Sequence, residues 1–200
     1  MVEIKAGQVK ELRDKSGVSM MECKKALEES CGDMSKAEVI LREKGLAAAN
    51  KKSSRAANQG LIDSYIHLGS KIGVLLEVNC ETDFVARNEI FKEFVHNVAL
   101  HIAASAPKYV SREEVPDEVI QAEKEIYKKQ ALNDGKPEAV VEKIAEGKLK
   151  KFYEEKCLID QLYVKDNDMT IGDLLKDVIL KIGENIVIKR FVRFVLGEEI

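Results

Sequence analysis

Ile72-Gly73-Val74-Leu75-Leu76-Glu77-Val78-Asn79-Cys80 runs directly into Glu81-Thr82-Asp83-Phe84-Val85-Ala86-Arg87, a strand that passes into a helix through an adjacent acid and ring. The first nine residues put Ile72, Val74, Leu76, Val78 and Cys80 on one side of an extended chain, with Gly73, Glu77 and Asn79 on the other. That two-residue period is the mark of a half-buried strand. Upstream, residues 61–67 read as a partner strand, and Gly69-Ser70 supplies the turn of a β-hairpin. Downstream, Ile90, Phe91, Phe94, Val95, Val98 and Ile102 recur every three or four residues, so a helix packs one side onto the sheet and ends before Pro107. Between strand and helix an acid and a large ring stand side by side at Asp83-Phe84. A carboxylate competes for a partner's polar contacts while a phenyl ring seeks an apolar pocket. Such a pair suits a probe pushed into another protein better than it suits catalysis.

Composition bounds what the chain does. Two hundred residues, 45% of them hydrophobic, allow one medium domain or two small ones with a real core. The net charge is −3, and acidic and basic residues are interleaved. This lacks the electrostatic footprint of a duplex-binding protein, so no direct nucleic-acid partner is expected. No apolar run reaches membrane-spanning length, and Met1-Val2-Glu3-Ile4-Lys5 lacks the apolar core of a signal peptide, which makes a cytoplasmic, membrane-free protein the expectation. Cys23, Cys31, Cys80 and Cys157 are far apart, and His67, His96 and His101 form no zinc-ligand spacing with them. Buried or half-buried reduced thiols are expected, with a disulfide between copies left open. No Gly-rich phosphate loop with its lysine is present, and no Cys/His or Ser/His/Asp grouping stands out. The sequence therefore predicts neither an enzyme nor a bound cofactor.

The organisation along the chain is α+β. Residues 1–45 form a three-helix module: Val9 and Leu12 face inward on the first helix, and Gly17 breaks it. Ser19 with Glu22 reads as a helix start, followed by an inner stripe of Met20, Cys23, Ala26 and Leu27. Gly32-Asp33 separates the second and third helices; Met34, Ala37, Ile40 and Leu41 point inward, and Gly45 ends the third. Residues 46–58 are small, polar and basic, a linker with some helical character. Residues 59–111 and 157–200 build a small antiparallel sheet with helices on one face. Thr170 with Asp173 starts a helix whose inner stripe is Ile171, Leu174, Leu175, Val178 and Ile179. A final strand sets Ile186, Ile188, Val192, Phe194 and Leu196 on one face, interrupted by Arg190. Inserted between them, residues 112–156 read as an antiparallel helical hairpin, a coiled-coil finger. Its seams are Val119, Ala122, Ile126 and Tyr127, then Val141, Ile144, Ala145, Leu149 and Phe152, and Asn133 to Pro137 is the turn.

Two stretches, in order, resemble the elongation factor Ts family. One is Val9-Lys10-Glu11-Leu12-Arg13, Gly17 and Met20-Met21-Glu22-Cys23-Lys24-Lys25-Ala26-Leu27, continued by Gly32-Asp33 and Lys44-Gly45. The other is Asn79 to Arg87, with the Thr82-Asp83-Phe84-Val85 signature. Val98-Ala99-Leu100-His101-Ile102-Ala103-Ala104-Ser105-Ala106-Pro107, the finger and Phe191-Val192-Arg193-Phe194-Val195-Leu196-Gly197-Glu198 extend the likeness over nearly the whole chain. The resemblance implies a ubiquitin-associated-like (UBA-like) N-terminal module and a guanine nucleotide exchange factor for elongation factor Tu, met both nucleotide-free and GDP-bound. It implies that Thr82, Asp83, Phe84 and Val85 approach the partner's magnesium and nucleotide site. Arg13, Met20 and Met21 would grip the same partner, with His101 as a further contact. Longer members carry two related core halves; this chain keeps one, which implies a homodimer through the sheet-bearing core.

Read without the resemblance, the same residues are plainer. Asp83 is a helix N-cap, Phe84 and Met20 are core, Arg13 is solvated and His101 is a half-buried structural histidine, while Met21 lies off the inner stripe. The resemblance reverses the weighing for Asp83 and Phe84. A second class of function stays open: a non-catalytic adaptor whose three-helix module binds ubiquitin-like or peptide ligands. Such an adaptor has no need of Asp83-Phe84.

Overall fold

Short polar residues set the starts of two of the N-terminal helices. The computed structural model describes residues 4–198, and all their side chains except those at 46 and 48–50. It places α1 at Ala6–Ser16, α2 at Met20–Glu29 and α3 at Met34–Lys52. Ser19 Oγ accepts the Glu22 amide at 3.3 Å and Asp33 Oδ1 accepts that of Lys36 at 3.0 Å. Each thereby covers an amide that a helix start leaves bare. Val9, Leu12, Val18, Cys23, Ala26, Leu27, Ala37 and Leu41 are buried as one cluster, with Met34, Ile40 and Leu180 packed against it.

Two expectations for this region are corrected. Met20 does not join the buried inner stripe but is 44% exposed. Gly45 does not end α3, which continues to Lys52. Gly45 is buried, and a Cβ there would meet the Leu180 side chain at 3.3 Å. The glycine allows a close approach between helices, and the run of alanines beyond it favours helix continuation.

The chain divides into two compact units. One comprises Met1–Leu61, Val78–Val95 and Leu175–Val187; the other comprises Ile62–Glu77, His96–Leu174 and Ile188–Ile200. Strands β1 (Gln59–Ile66), β2 (Ile72–Cys80) and β5 (Ile186–Val195) form a three-stranded antiparallel sheet with β2 in the centre. On β2, Val74, Leu76, Val78 and Cys80 are buried, as the alternation requires. Helix α5 (Glu89–Ser105) buries Phe91, Phe94, Val95, Val98, Ala99, Ile102 and Ala103, while Ile90 is exposed rather than on its inner stripe.

Strand β5 departs from the simple pattern. Ile186 and Ile188 are buried, Lys189 and Arg190 are both exposed, and Phe191, Arg193 and Val195 are then the less exposed set. The alternation slips by one residue at 189–190, which turns Val192 and Phe194 to solvent. Arg190 pairs with Glu77 at 2.7 Å on the outer side of the sheet, and Arg193 reaches the Ala103 carbonyl on α5 at 3.3 Å.

In the second unit, α6 (Asp117–Asn133) and α7 (Glu138–Lys156) fold back on each other around the turn at 134–137. Val141, Ala145, Leu149 and Phe152 are buried along α7 as anticipated; on α6, Ala131 is buried whereas Ala122 and Ile126 are exposed. Lys128 crosses to Glu142 at 2.8 Å. The base is held by Arg112, which forks onto Asp160 at 2.9 and 2.6 Å, and by the burial of Val115 and Cys157 with Leu149 and Phe152. A two-stranded ribbon follows, β3 (Leu162–Tyr163) with β4 (Asp166–Thr170), then α8 (Ile171–Ile182), whose start carries Thr170 Oγ1 and the Asp173 amide at 3.1 Å.

His101 is fully buried on α5. Its Nδ1 accepts the Val164 amide at 3.2 Å, which leaves the proton on Nε2 to donate to Gln161 Oε1 at 2.9 Å. The Gln161 amide nitrogen continues to the Glu155 carbonyl at 2.7 Å. One neutral imidazole thus ties α5, the end of α7 and the ribbon together. Burial pushes its pKa below the ordinary 6.5, and the Gln161 bond opposes this only in part.

Two outcomes test these packing arguments. Gly60, at φ +144, lies so close to β2 that a Cβ would run into the Val78 carbonyl oxygen. Gly60→Ala is expected to cost more than about 3 kcal/mol and to lower the thermal midpoint by roughly ten degrees, read by circular dichroism. For His101 the folded pKa lies below the unfolded one, so its contribution is complete above the ordinary histidine range. It is lost as pH falls through 6.5. The thermal midpoint should fall between about pH 8 and about pH 5.5, and His101→Phe should flatten part of that slope.

Candidate partner-binding site

Strand β2 ends at Cys80, and Thr82 opens the single-turn helix α4 (Asp83–Ala86). Thr82 is extended at φ −127, ψ 155, and its hydroxyl accepts the Val85 amide at 3.4 Å. Thr82, not Asp83, is therefore the N-cap. That frees the Asp83 carboxylate, which lies exposed and pairs with Arg87 at 3.1 Å. Phe84 is not core: it is 81% exposed. Val85 is half-buried. A large ring in water on a capped turn, beside an exposed carboxylate, gives this segment an apolar and an anionic contact pointing out of the protein.

The backbone beneath this turn is fastened through polar groups the sequence reading did not single out. Glu184 Oε2 accepts the amides of Glu81 and Thr82 at 3.1 and 3.0 Å, and Glu184 Oε1 accepts the Thr82 hydroxyl at 2.7 Å. In return Glu81 Oε1 accepts the Asn185 amide at 2.6 Å and lies 3.5 Å from Arg55 Nη1. Buried Asn185 donates its side-chain amide to the Arg55 carbonyl at 2.7 Å. The Cys80 thiol donates to the Thr82 carbonyl at 3.1 Å, and burial pushes its pKa up.

On the N-terminal module, Arg13 is exposed on α1 and Met21 is 70% exposed on α2. Met20 and Met21, with Ile4, Ala6, Val9 and the stem of Lys24, line a shallow groove of about 300 Å³. The unbranched thioethers suit contacts that must adapt to another surface. His101 lies in the other unit and offers no surface, being enclosed by the bonds described above.

The four cysteines are free. Cys31 is exposed rather than half-buried, sitting in a turn at φ +55, while Cys23, Cys80 and Cys157 are buried. Burial pushes the Cys157 thiol up to about 11. Among the described residues no group of three His, Cys, Asp or Glu is placed to hold a metal ion, and no helix is long and apolar enough to cross a membrane.

The outer side of the sheet carries exposed Ile62, Ile66, Leu75, Val192 and Phe194, and Leu196, just past the end of β5, is exposed too. Ile62, Leu75, Phe191 and Val192, with the Glu77–Arg190 pair, line a groove of about 200 Å³.

Comparison with known proteins places this arrangement. The model of the family described as Elongation factor TS matches residues 8–198. A protein of Coprothermobacter proteolyticus named Elongation factor Ts is 60% identical over 197 residues, covering 98% of this chain and 100% of its own length. Proteins of the same name from Thermoanaerobacter sp. and Moorella thermoacetica are 60% and 57% identical over 98% of this chain and 97% of their own. With residues 8–198 matched by the family model and relatives about 60% identical over 98% of its length, the chain belongs to the elongation factor Ts family.

Proposed function

We propose that the chain is a guanine nucleotide exchange factor for elongation factor Tu in translation elongation, acting in the cytoplasm without covalent chemistry and without a cofactor. The observation that carries this reading is Phe84, held 81% exposed on the capped turn of α4. A core phenylalanine would be buried, and an adaptor working through its three helices would have no use for this one. The proteins named Elongation factor Ts support the partner.

The exchange follows from linkage. A factor that binds the nucleotide-free partner more tightly than the nucleotide-bound one weakens nucleotide binding by the same ratio. Phe84 wedges into an apolar pocket beside the partner's magnesium site, and Asp83 competes for polar contacts there. The Asp83–Arg87 pair is solvent-exposed, so giving it up costs under about 1 kcal/mol. Thr82 and Val85 frame the probe. The 1–45 module, with Arg13, Met20 and Met21, holds the same partner from a second patch. The 112–156 hairpin, a coiled-coil finger in this reading, and the core supply the remaining contacts.

The second part of the proposal is a homodimer. Ile62, Ile66, Leu75, Val192 and Phe194 expose apolar side chains together on one sheet face. Two copies packing this face symmetrically would cover it.

Burying a phenylalanine side chain contributes about 1.5–3 kcal/mol. At about 1.4 kcal/mol per factor of ten, Phe84→Ala should slow the release of fluorescent GDP from elongation factor Tu by roughly ten- to a hundredfold. Its circular dichroism spectrum should stay native. Equal release with wild-type protein and with buffer would end the proposal. Light scattering of the protein alone should give twice 22.4 kDa, and Leu75→Lys with Val192→Lys should halve that mass; a wild-type monomer would overturn the dimer.

A further inference from the structure

We infer that Glu184 is a positioning residue for nucleotide exchange: its carboxylate holds the backbone at Glu81 and Thr82 so that Phe84 is delivered already ordered. The inference rests on the proposed role of Phe84 and extends it to a residue a hundred positions away in sequence.

Three donors converge on this one side chain, two backbone amides and the Thr82 hydroxyl, at 3.1, 3.0 and 2.7 Å. Bonds to an ionised carboxylate are stronger than neutral ones. They engage the two residues that join β2 to α4. The Thr82 hydroxyl, having given its proton to Glu184, keeps its lone pairs for the Val85 amide, so the cap of α4 is oriented by Glu184. The contact is reciprocated: the Glu81 carboxylate takes the Asn185 amide at 2.6 Å. Residues 81–82 and 184–185 therefore clasp each other from both sides. Gly183, at φ +88, ends α8 directly before Glu184 and sets where that carboxylate stands.

Nothing within α4 would do this. A helix of four residues closes too few hydrogen bonds to repay its own ordering. Its Phe84 makes no core contact that would anchor it, being 81% exposed. Without Glu184 the turn would sample many orientations, and docking Phe84 would carry the ordering cost at the moment of nucleotide release. With Glu184 that cost is met on folding. Glu184 itself need not touch the partner; it acts through Phe84.

The test compares wild type, Glu184→Ala, Glu184→Gln, Phe84→Ala and the Glu184→Ala/Phe84→Ala double variant. The readouts are the saturated rate of fluorescent-GDP release from elongation factor Tu and the half-saturating concentration. Glu184→Ala should lower the saturated rate about tenfold, the scale of ordering one or two residues. The half-saturating concentration should move by less than about threefold, because the N-terminal contacts remain. Glu184→Gln retains acceptors for the two amides and should restore most of the rate. In the double variant the loss should match that of Phe84→Ala within about twofold, since one residue acts through the other. Amide exchange at Thr82 and Val85 in the free protein should quicken in Glu184→Ala, with the circular dichroism spectrum native. A wild-type saturated rate in Glu184→Ala, or a further tenfold loss in the double variant, overturns the inference. Should Glu184→Ala not fold, Glu184→Asp, whose shorter side chain cannot span the same three donors, takes its place: a loss that is not additive with that of Phe84→Ala supports the inference, and a wild-type rate or an additive loss overturns it. If Phe84→Ala itself releases GDP at the wild-type rate, the role of Phe84 fails. If only Glu184→Ala does, the clasp alone is wrong.

Discussion

The bonds between the Glu184 carboxylate and the backbone of Glu81 and Thr82 are the contacts on which the presentation of Phe84 depends. A phenyl ring in water is under constant pressure to find cover. It can collapse onto its own protein, or it can be held off by a backbone with no freedom to bring it down. Here β2 enters the turn as the central strand of the sheet, so residues up to Cys80 are fixed. The next two residues are fixed by carboxylates rather than by apolar packing. Polar fastening is the better choice at such a point, because an apolar anchor beneath α4 would offer Phe84 a surface to fold onto.

Local structure is legible from local residues. Ser19, Asp33 and Thr170 cap the helices they were expected to start, since a short hydroxyl or carboxylate at that place satisfies bare amides whatever the surroundings. The alternation on β2 was legible because one side of a central strand must be buried. Where the reading erred, a neighbour distant in sequence decided the outcome. Gly45 looked like a stop but is a contact with Leu180. A two-residue period groups Val192 and Phe194 with Ile186, yet a one-residue slip at 189–190 carries them to the other side. By periodicity Phe84 reads as core; the acid beside it hints at a probe, and the family likeness turns the weighing outward. Glu184 gave no signal at all, since a lone glutamate after a glycine is ordinary and its partners lie more than a hundred residues earlier.

The exposed sheet face shows why burial pattern alone cannot separate a monomer from an assembling chain. Ile62, Ile66 and Leu75 sit where an antiparallel sheet with helices on one side normally presents polar residues to solvent. The Glu77–Arg190 pair at 2.7 Å lies among them. A charged pair in an apolar field orients whatever packs there, because burying it with mismatched neighbours leaves charges unsatisfied. In the proposed dimer it would therefore contribute more to register than to affinity.

Linkage also constrains how labour is divided between the two patches of the proposed site. A contact made equally with nucleotide-bound and nucleotide-free partner tightens the complex and accelerates nothing, since only a difference between the two states lowers the barrier to release. The groove lined by Met20 and Met21 is shallow and built of adaptable side chains. It suits contact of the first kind, in which the partner's surface need not change. In the proposed mechanism Phe84, on a turn fastened by Glu184, would make its contact only where the partner's ion site has opened. Were the probe as soft as the groove, it would conform to the closed partner and the difference would vanish. Stiffness at residues 81–84 is thus a requirement of the proposed mechanism. The density of polar bonds beneath an otherwise unsupported turn is the physical form that requirement takes.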